Sequence, residues 1–336
     1  MRCSPCADTG ILLVNTGTPD APTPEAIRAY LAEFLRDRHL IDIPSILWLP
    51  ILYGIILRTR PPKSAERYQA IWTKDGSPLL CTLQAQAAGV EERLLGSGYR
   101  VKVRAATRYG NPSIAKVCGE LQQAGCERLV IMPLYPQQAR VITGSIRAEV
   151  ERLQAHGDIT VPLTFIDDYY RNERYLDVVA ASVREAGVAM PTPNSGVAPG
   201  ARLLFSFHST LKKDIEQGDP YLIQVQETVD ALVERLDLAP EHYALVFPCR
   251  FDRRAWLGPT PEVVLERWAE EGVRDVAVVY PGFSADCLET LYDGAVELRA
   301  YFATITGEQG RLTCIPALND RPDHLDALCD VLEERL

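Results

Sequence analysis

Positive charge is in short supply in this chain: 35 Lys and Arg against 45 Asp and Glu leave a formal charge of −10. That balance excludes a nucleic-acid partner, because phosphate binding needs a basic footprint. No apolar run reaches the roughly 20 residues a membrane-spanning helix requires, and the most apolar stretch, 41–57, is interrupted by Pro44, Pro50 and Gly54. No apolar core of signal-peptide length precedes the first strand, so secretion is not expected. Nine cysteines, an odd number scattered through the chain, describe no disulfide framework and fit a reducing cytoplasm. Cys3 and Cys6 form one CxxC, but no second pair follows to complete a zinc or cluster site. The turn Thr16-Gly17-Thr18-Pro19 is neither GxGxxG nor a phosphate loop, which argues against a nucleotide there. Low-complexity tracts and internal repeats of solenoid length are also missing.

What is present is enough apolar material, 47% of 336 residues, for two well-filled cores of ordinary size. Short apolar runs alternate with helical patterns. Strands are expected at 10–15, 99–107, 128–136 and 161–166, then at 202–207, 243–247 and 276–280. Helices fall between them at 23–35, 82–95, 113–124, 143–156 and 172–186, with others ending near 236 and opening at Pro261. Thr23 caps the first of these, with Pro24 in its opening turn. The alternation predicts an α/β protein with doubly wound parallel sheets, the second half repeating the plan of the first after a Pro-, Gly- and Ser-rich loop at 191–200.

The stretch 276–297, VAVVYPGFSADCLETLYDGAVE, organises the rest. Its apolar start reads as a strand buried on both faces. Ser284 or Asp286 can cap the helix that follows, along which Asp286, Glu289, Asp293 and Glu297 recur at spacings of three, four and four. Such spacing stacks four carboxylates on one face. An arbitrary acidic helix is simply solvated there, but this one starts beyond the carboxyl end of a strand, where open α/β sheets bind ligands. Gly294, a poor residue for a helix interior, marks a local bulge that re-aims its neighbours. A carboxylate ladder of this kind suits a hydrated divalent cation, which hard oxygen ligands hold loosely and release.

Of five histidines, His208 alone stands at a strand end, after Phe205-Ser206-Phe207; His39, His156, His242 and His324 are assigned no role. A base is therefore expected to oppose the ladder across one crevice. The apolar stretch 41–57 reads either as a buried helix pair or as a lip over a large flat apolar ligand or a membrane surface. Arg58, Arg60 and Lys63 follow it and suit anionic groups on either.

Read together, LLVNTGTP, LRTRPPKSAERYQAIWTKDGSPL, TRYGNPSI, MPLYPQ, FSFHST, QGDPY, CRFDRRAWLGP and PGFSADCLETL resemble the ferrochelatases, which insert ferrous iron into a porphyrin to make haem. The resemblance runs from about residue 10 to 320. It implies two Rossmann-like domains without a nucleotide, facing each other across a porphyrin cleft. The first would comprise 1–165, with the lip at 41–57, completed by a C-terminal helix at 318–336; the second would comprise 166–317. The family's active-site histidine falls on His208 and its essential acid on Glu289. Asp293 and Glu297 match the acidic positions that continue from it, and Asp286 the acid three before, so these five form the implied metal-handling set. Porphyrin-facing positions fall on Tyr68, Ser77, Arg108, Tyr109 and Trp256.

Inserting a divalent ion into a free-base macrocycle releases two pyrrole protons, so the site needs a proton acceptor near the ring. Histidine can serve. The implied partners are ferrous iron and protoporphyrin IX or coproporphyrin III as substrates, with no resident cofactor. The implied location is the cytoplasm, with peripheral contact at the inner face of the membrane.

Three blocks depart from the family pattern: His208-Ser209-Thr210, Gln138-Ala139-Arg140-Val141-Ile142-Thr143, which brings a cation and loses hydroxyls, and Cys249-Arg250-Phe251-Asp252. Some members hold a two-iron, two-sulfur cluster, but the tail here offers only Cys314 and Cys329, and Cys118 and Cys126 make no compact group, so none is expected. The rival readings are a chelatase for another metal or tetrapyrrole, such as a cobaltochelatase, and a non-catalytic tetrapyrrole-binding relative. Retention of both His208 and Glu289 favours the enzyme.

Overall fold

A computed structural model describes residues 8–187, 200–248 and 254–336. Cys3 and Cys6, nearly all of the 191–200 loop and the Cys249-to-Asp252 block lie outside the described residues. The chain divides into two compact units, Met1–Tyr169 with Asp320–Leu336, and Tyr170–Asn319.

The first unit is built on a parallel sheet of β1 (Thr9–Thr18), β2 (Val101–Gly110), β3 (Arg128–Pro133) and β4 (Leu163–Phe165), in the order β2-β1-β3-β4. Ile11 to Val14 of β1 are fully buried, as a central strand covered on both faces demands. One face packs on Ile114, Val117, Cys118 and Leu121 of helix Ile114–Gln123 and on Ile146, Val150 and Leu153 of helix Ser145–His156. Helix Pro24–Phe34 begins where its cap required, with the Thr23 hydroxyl accepting from the Ala26 N–H at 3.3 Å. The C-terminal helix Pro322–Glu333 packs on helix Pro78–Gly96 and is tied to it by Arg93, whose Nε donates to Asp326 at 2.7 Å.

The second unit repeats the plan with β5 (Arg202–Ser206), β6 (Tyr243–Val246), β7 (Asp275–Val279) and β8 (Arg311–Cys314), all parallel, in the order β6-β5-β7-β8. Leu204, Val276 and Val278 meet Trp268 of helix Pro261–Glu270 and Phe302 of helix Arg299–Ile305 in its core. β8 escapes a pattern search because it is a four-residue strand beside β7 alone, opening on an exposed arginine. So short a run has no period to read. In each sheet the winding reverses beside the first strand, between β1 and β3 and between β5 and β7. Reversals of that kind leave a crevice at the carboxyl ends.

Two stretches depart from plain α-helix through a π-turn. Residues 41–57 make neither a fully buried pair nor a plain helix: helix Ser45–Ile51 runs through a π-turn, Leu52–Ile56, into helix Leu57–Ile71. Trp48, Leu52 and Leu57 are buried with Leu35 and Ile41, while Ile46 is 83% exposed and Leu47, Ile51, Tyr53 and Ile55 also face out. Among the described residues no helix is long and apolar enough to cross a membrane. The block at 138–143 ends in a second π-turn, Arg140–Gly144, where the Thr143 hydroxyl accepts from the Ala139 N–H and donates to its carbonyl, both at 2.9 Å.

Candidate active site

β5 delivers His208 two residues beyond its end, and β7 leads through Pro281-Gly282 to the helix that begins with Glu289. Because β5 and β7 are neighbours, the two side chains meet at the reversal point of the second sheet. His208 Nε2 stands 4.0 Å from Glu289 Oε2. The other ring nitrogen, Nδ1, lies 2.7 Å from the Ser209 carbonyl. A carbonyl only accepts, so Nδ1 carries the proton, and in the neutral ring Nε2 keeps its lone pair. The Tyr221 hydroxyl donates to the His208 carbonyl at 2.8 Å and fixes the backbone beneath the ring.

Glu289 is held further inside. Its side chain is 13% exposed, against 38% for His208, and its Oε1 is buried with no hydrogen-bond partner. An unsatisfied buried carboxylate oxygen is costly. It is also the acceptor that a cation or a proton would complete.

Glu289 opens a π-helix, Glu289–Leu298, which carries Asp293 half-buried and Glu297 exposed. The three carboxylates are thus graded from interior to solvent along one element. The bulge expected at Gly294 is this π-helix. A β-carbon there would collide with the Tyr280 hydroxyl, so only glycine fits.

Asp286 does not join that series, and it does not cap the helix. Its Oδ1 accepts from the Thr290 hydroxyl at 2.8 Å and the Ala317 N–H at 3.1 Å, and its Oδ2 from Asn319 Nδ2 at 2.8 Å. With both oxygens occupied and the residue buried, Asp286 ties the helix start to the segment after β8. Nor is the implied metal-handling set one preformed cage, since among the described residues no three His, Cys, Asp or Glu side chains are grouped to hold a metal ion.

Beneath Glu289 the surroundings stay uncharged. Burial, with Glu289 adding to it, pushes the Cys287 thiol up to about 12. The Tyr280 phenol is raised well above its ordinary value by burial, then by Cys314 and Glu289. Trp256 belongs to the same unit as His208: Leu211 and Trp256 form a bridge, the Lys212 N–H donates to the Ala255 carbonyl and the Leu257 N–H to that of Thr210, both at 2.9 Å. The Arg254 guanidinium lies 5.8 Å from the Trp256 ring centroid.

In the first unit the expected ligand-facing residues turn out largely to face one another. Tyr109 is 2% exposed, its hydroxyl donating to Asp37 at 2.7 Å and its ring edge-on to Phe34 at 5.0 Å. It offers no surface to a ligand. Arg108 Nη2 donates to the same carboxylate at 2.7 Å, and its Nε to the Ser145 hydroxyl at 2.8 Å. Ser77 is buried, donating to Thr18 at 2.9 Å. Ser77 and Tyr109 are thus engaged in hydrogen bonds within the first unit, and Arg108 in an ion pair with Asp37. Tyr68 remains half-exposed, its ring 6.2 Å from that of Trp72.

Asp37 organises this network and was not singled out from the sequence, nor was His39, whose N–H donates to it at 2.7 Å. Burial raises the Asp37 carboxyl, but hydrogen bonds from His39, Ser145 and Tyr109 outweigh it and leave the group below the usual carboxylate range. A partner 71 positions before Arg108 leaves no local signal.

The family model described as Ferrochelatase matches residues 8–336. Relatives named ferrochelatase include one from Azoarcus sp. (strain BH72), 44% identical over 96% of this chain and 86% of its own. Another, from Methylococcus capsulatus, is 43% identical over 98% of this chain and 97% of its own. "Ferrochelatase 2" of Shewanella oneidensis is 39% identical over 97% of both chains. Among solved structures, the sirohydrochlorin chelatase SirB of Bacillus subtilis subspecies spizizenii, in complex with cobalt, superposes with a TM-score of 0.54 at 12% identity over 97% of this chain and 94% of its own. That likeness speaks for a two-domain chelatase fold. With the family model matched over nearly the whole length and relatives above 40% identity across it, the chain belongs to the ferrochelatase family.

Proposed function

We propose that the protein carries out its family's reaction, insertion of ferrous iron into a porphyrin with release of two pyrrole protons, at His208 and Glu289. The observation that supports this most is the pairing itself: a lone-pair-bearing Nε2 at 4.0 Å from a carboxylate whose other oxygen is buried and unsatisfied. His208 Nε2 takes a pyrrole proton, and the imidazolium so formed is stabilised by Glu289 across that gap. Asp293 and Glu297 extend the carboxylate series to solvent, which suits a hydrated cation travelling in or protons travelling out. Trp256, strapped to the segment after His208, offers a ring face to the macrocycle.

The substrate is protoporphyrin IX or coproporphyrin III, and the place of action is the cytoplasm. The exposed apolar face of 45–57, followed by exposed Arg58, Arg60 and Lys63, supports a lip for the macrocycle that also rests on an anionic membrane surface. Flotation with anionic vesicles tests the second role; a protein that stays wholly unbound removes it.

The deciding experiment is an anaerobic insertion assay with ferrous iron, following the absorbance of protoporphyrin and coproporphyrin in parallel. Turnover of one ring names the substrate. Tight binding of both without turnover overturns the catalytic reading.

A further inference from the structure

The helix that starts at Glu289 stays π-helical for ten residues, to Leu298, and becomes α-helical only over Arg299–Ile305. π-Geometry is usually confined to a single turn. Its residues, Thr290, Leu291, Tyr292, Ala295, Val296 and Leu298 among them, include good α-helix formers, so something outside the helix must hold the wider turn.

Tyr280 is placed to do this. It follows β7 directly and is buried, and its hydroxyl occupies the volume in which a β-carbon on residue 294 would stand. The same point lies 3.5 Å from the Glu289 carbonyl oxygen. An i→i+5 helix pairs positions 289 and 294, so the phenol presses on the turn that Glu289 begins. Its other contacts are fixed: the hydroxyl donates to Cys314 Sγ of β8 at 3.7 Å, and Phe283 packs edge-on at 6.1 Å. The ring is therefore a post anchored to the sheet, with its tip in the notch that Gly294 leaves.

We propose that Tyr280 is a positioning residue for metal insertion: its hydroxyl, seated in the Gly294 notch, holds the first π-turn and thereby sets the Glu289 carboxylate opposite His208. Tyr280 acts through Glu289 and touches no reacting atom. The inference rests on the assignment of Glu289 to the reaction.

Steady-state kinetics with iron and porphyrin varied separately test it on Gly294→Ala, Tyr280→Phe and the double variant. Gly294→Ala forces a β-carbon into the phenol and should lower kcat/KM for iron about tenfold or more while leaving the KM for porphyrin nearly unchanged. Tyr280→Phe should raise the iron KM about threefold. The double variant loses the overlap with the hydroxyl and keeps only the ring carbon at 3.0 Å, so it should recover a large part of the Gly294→Ala loss toward the level of Tyr280→Phe, a coupling that independent structural defects do not produce.

Additive losses, or a wild-type Gly294→Ala enzyme, overturn the proposal. Should Gly294→Ala fail to fold, a folded and active double variant shows the same coupling. Should both fail, a raised iron KM in Tyr280→Phe supports the post and a wild-type value overturns it. Glu289→Gln is measured alongside: wild-type turnover there sinks the assignment of Glu289 itself, whereas an inactive Glu289→Gln beside uncoupled Tyr280 and Gly294 sinks only the post.

Discussion

The two sheets share a strand order and reverse at equivalent places, yet what stands at each reversal differs. In the first unit Asn15, Thr16 and Tyr135 close on one another: the Tyr135 hydroxyl donates to Asn15 Oδ1 at 2.7 Å and accepts from the Thr16 N–H at 3.2 Å. These side chains are neutral and satisfy each other. In the second unit His208 and Glu289 approach to 4.0 Å, beyond hydrogen-bond reach, and a buried Glu289 oxygen has no partner. The charged groups of the first unit tell the same story as its neutral ones, since Arg108, Tyr109, Ser145 and His39 all converge on Asp37. Topology supplies a crevice in both sheets. Whether it becomes a structural knot or a reactive site depends on whether its polar groups are left something to bind.

The largest effect expected from this contrast is at the second reversal. His208→Ala and Glu289→Gln should each lower turnover by about 10²–10⁴-fold, while porphyrin binding, followed by absorbance titration, persists. Wild-type rates in either variant would erase the distinction between the two crevices.

In the first unit the expected loss is of stability. Asp37→Ala strips the partly buried Arg108 of its counter-charge and the buried Tyr109 and Ser145 hydroxyls of their shared acceptor, and should cost about 3–5 kcal/mol in denaturant unfolding. The pH dependence follows from the same group. Its folded pKa lies below the unfolded one, so its contribution is complete above about pH 4 and fades as the pH falls toward the folded value. Asp37→Asn should flatten that acid limb. An unchanged limb would show that other carboxylates dominate it.

Asp286 lies between the two behaviours, a carboxylate of the second unit that is fully satisfied. Asp286→Asn is expected to cost about 1–3 kcal/mol through its lost hydrogen bonds with little change in the KM for iron. A rise in that KM beyond the effect of Asp293→Asn would return Asp286 to the metal path. Asp293→Asn itself should raise the KM for iron about fivefold and that for porphyrin less; equal changes would deny the graded carboxylates a role in delivery. The smallest expected effect is Tyr135→Phe, about 1 kcal/mol of stability, read as a lowered Tm with turnover per folded molecule retained. Collapse of turnover instead would make the first crevice reactive as well.

Much of this was legible from residue order alone. The unbroken apolar runs of β1, β3, β5 and β7, Thr23 as a helix cap, and Gly294 as the site of a bulge are local signals, each carried by a few adjacent residues. The strand end at His208 and the acidic helix after β7 are of the same kind. By itself the sequence determined the alternating α/β plan, its family, and which residue types stand at the strand ends.

Only the tertiary structure decided which polar groups are spent and which remain. Asp286 and Glu289 are three positions apart on what reads as one acidic face, yet Ala317 and Asn319 complete the first and leave the second open. Arg108 and Tyr109 read as ligand contacts until Asp37 arrives from the loop after the first helix. The reason is physical: a hydrogen bond or ion pair consumes a group's capacity wherever its partner lies in the chain, and partners brought from 30 or 70 positions away leave no periodicity to read.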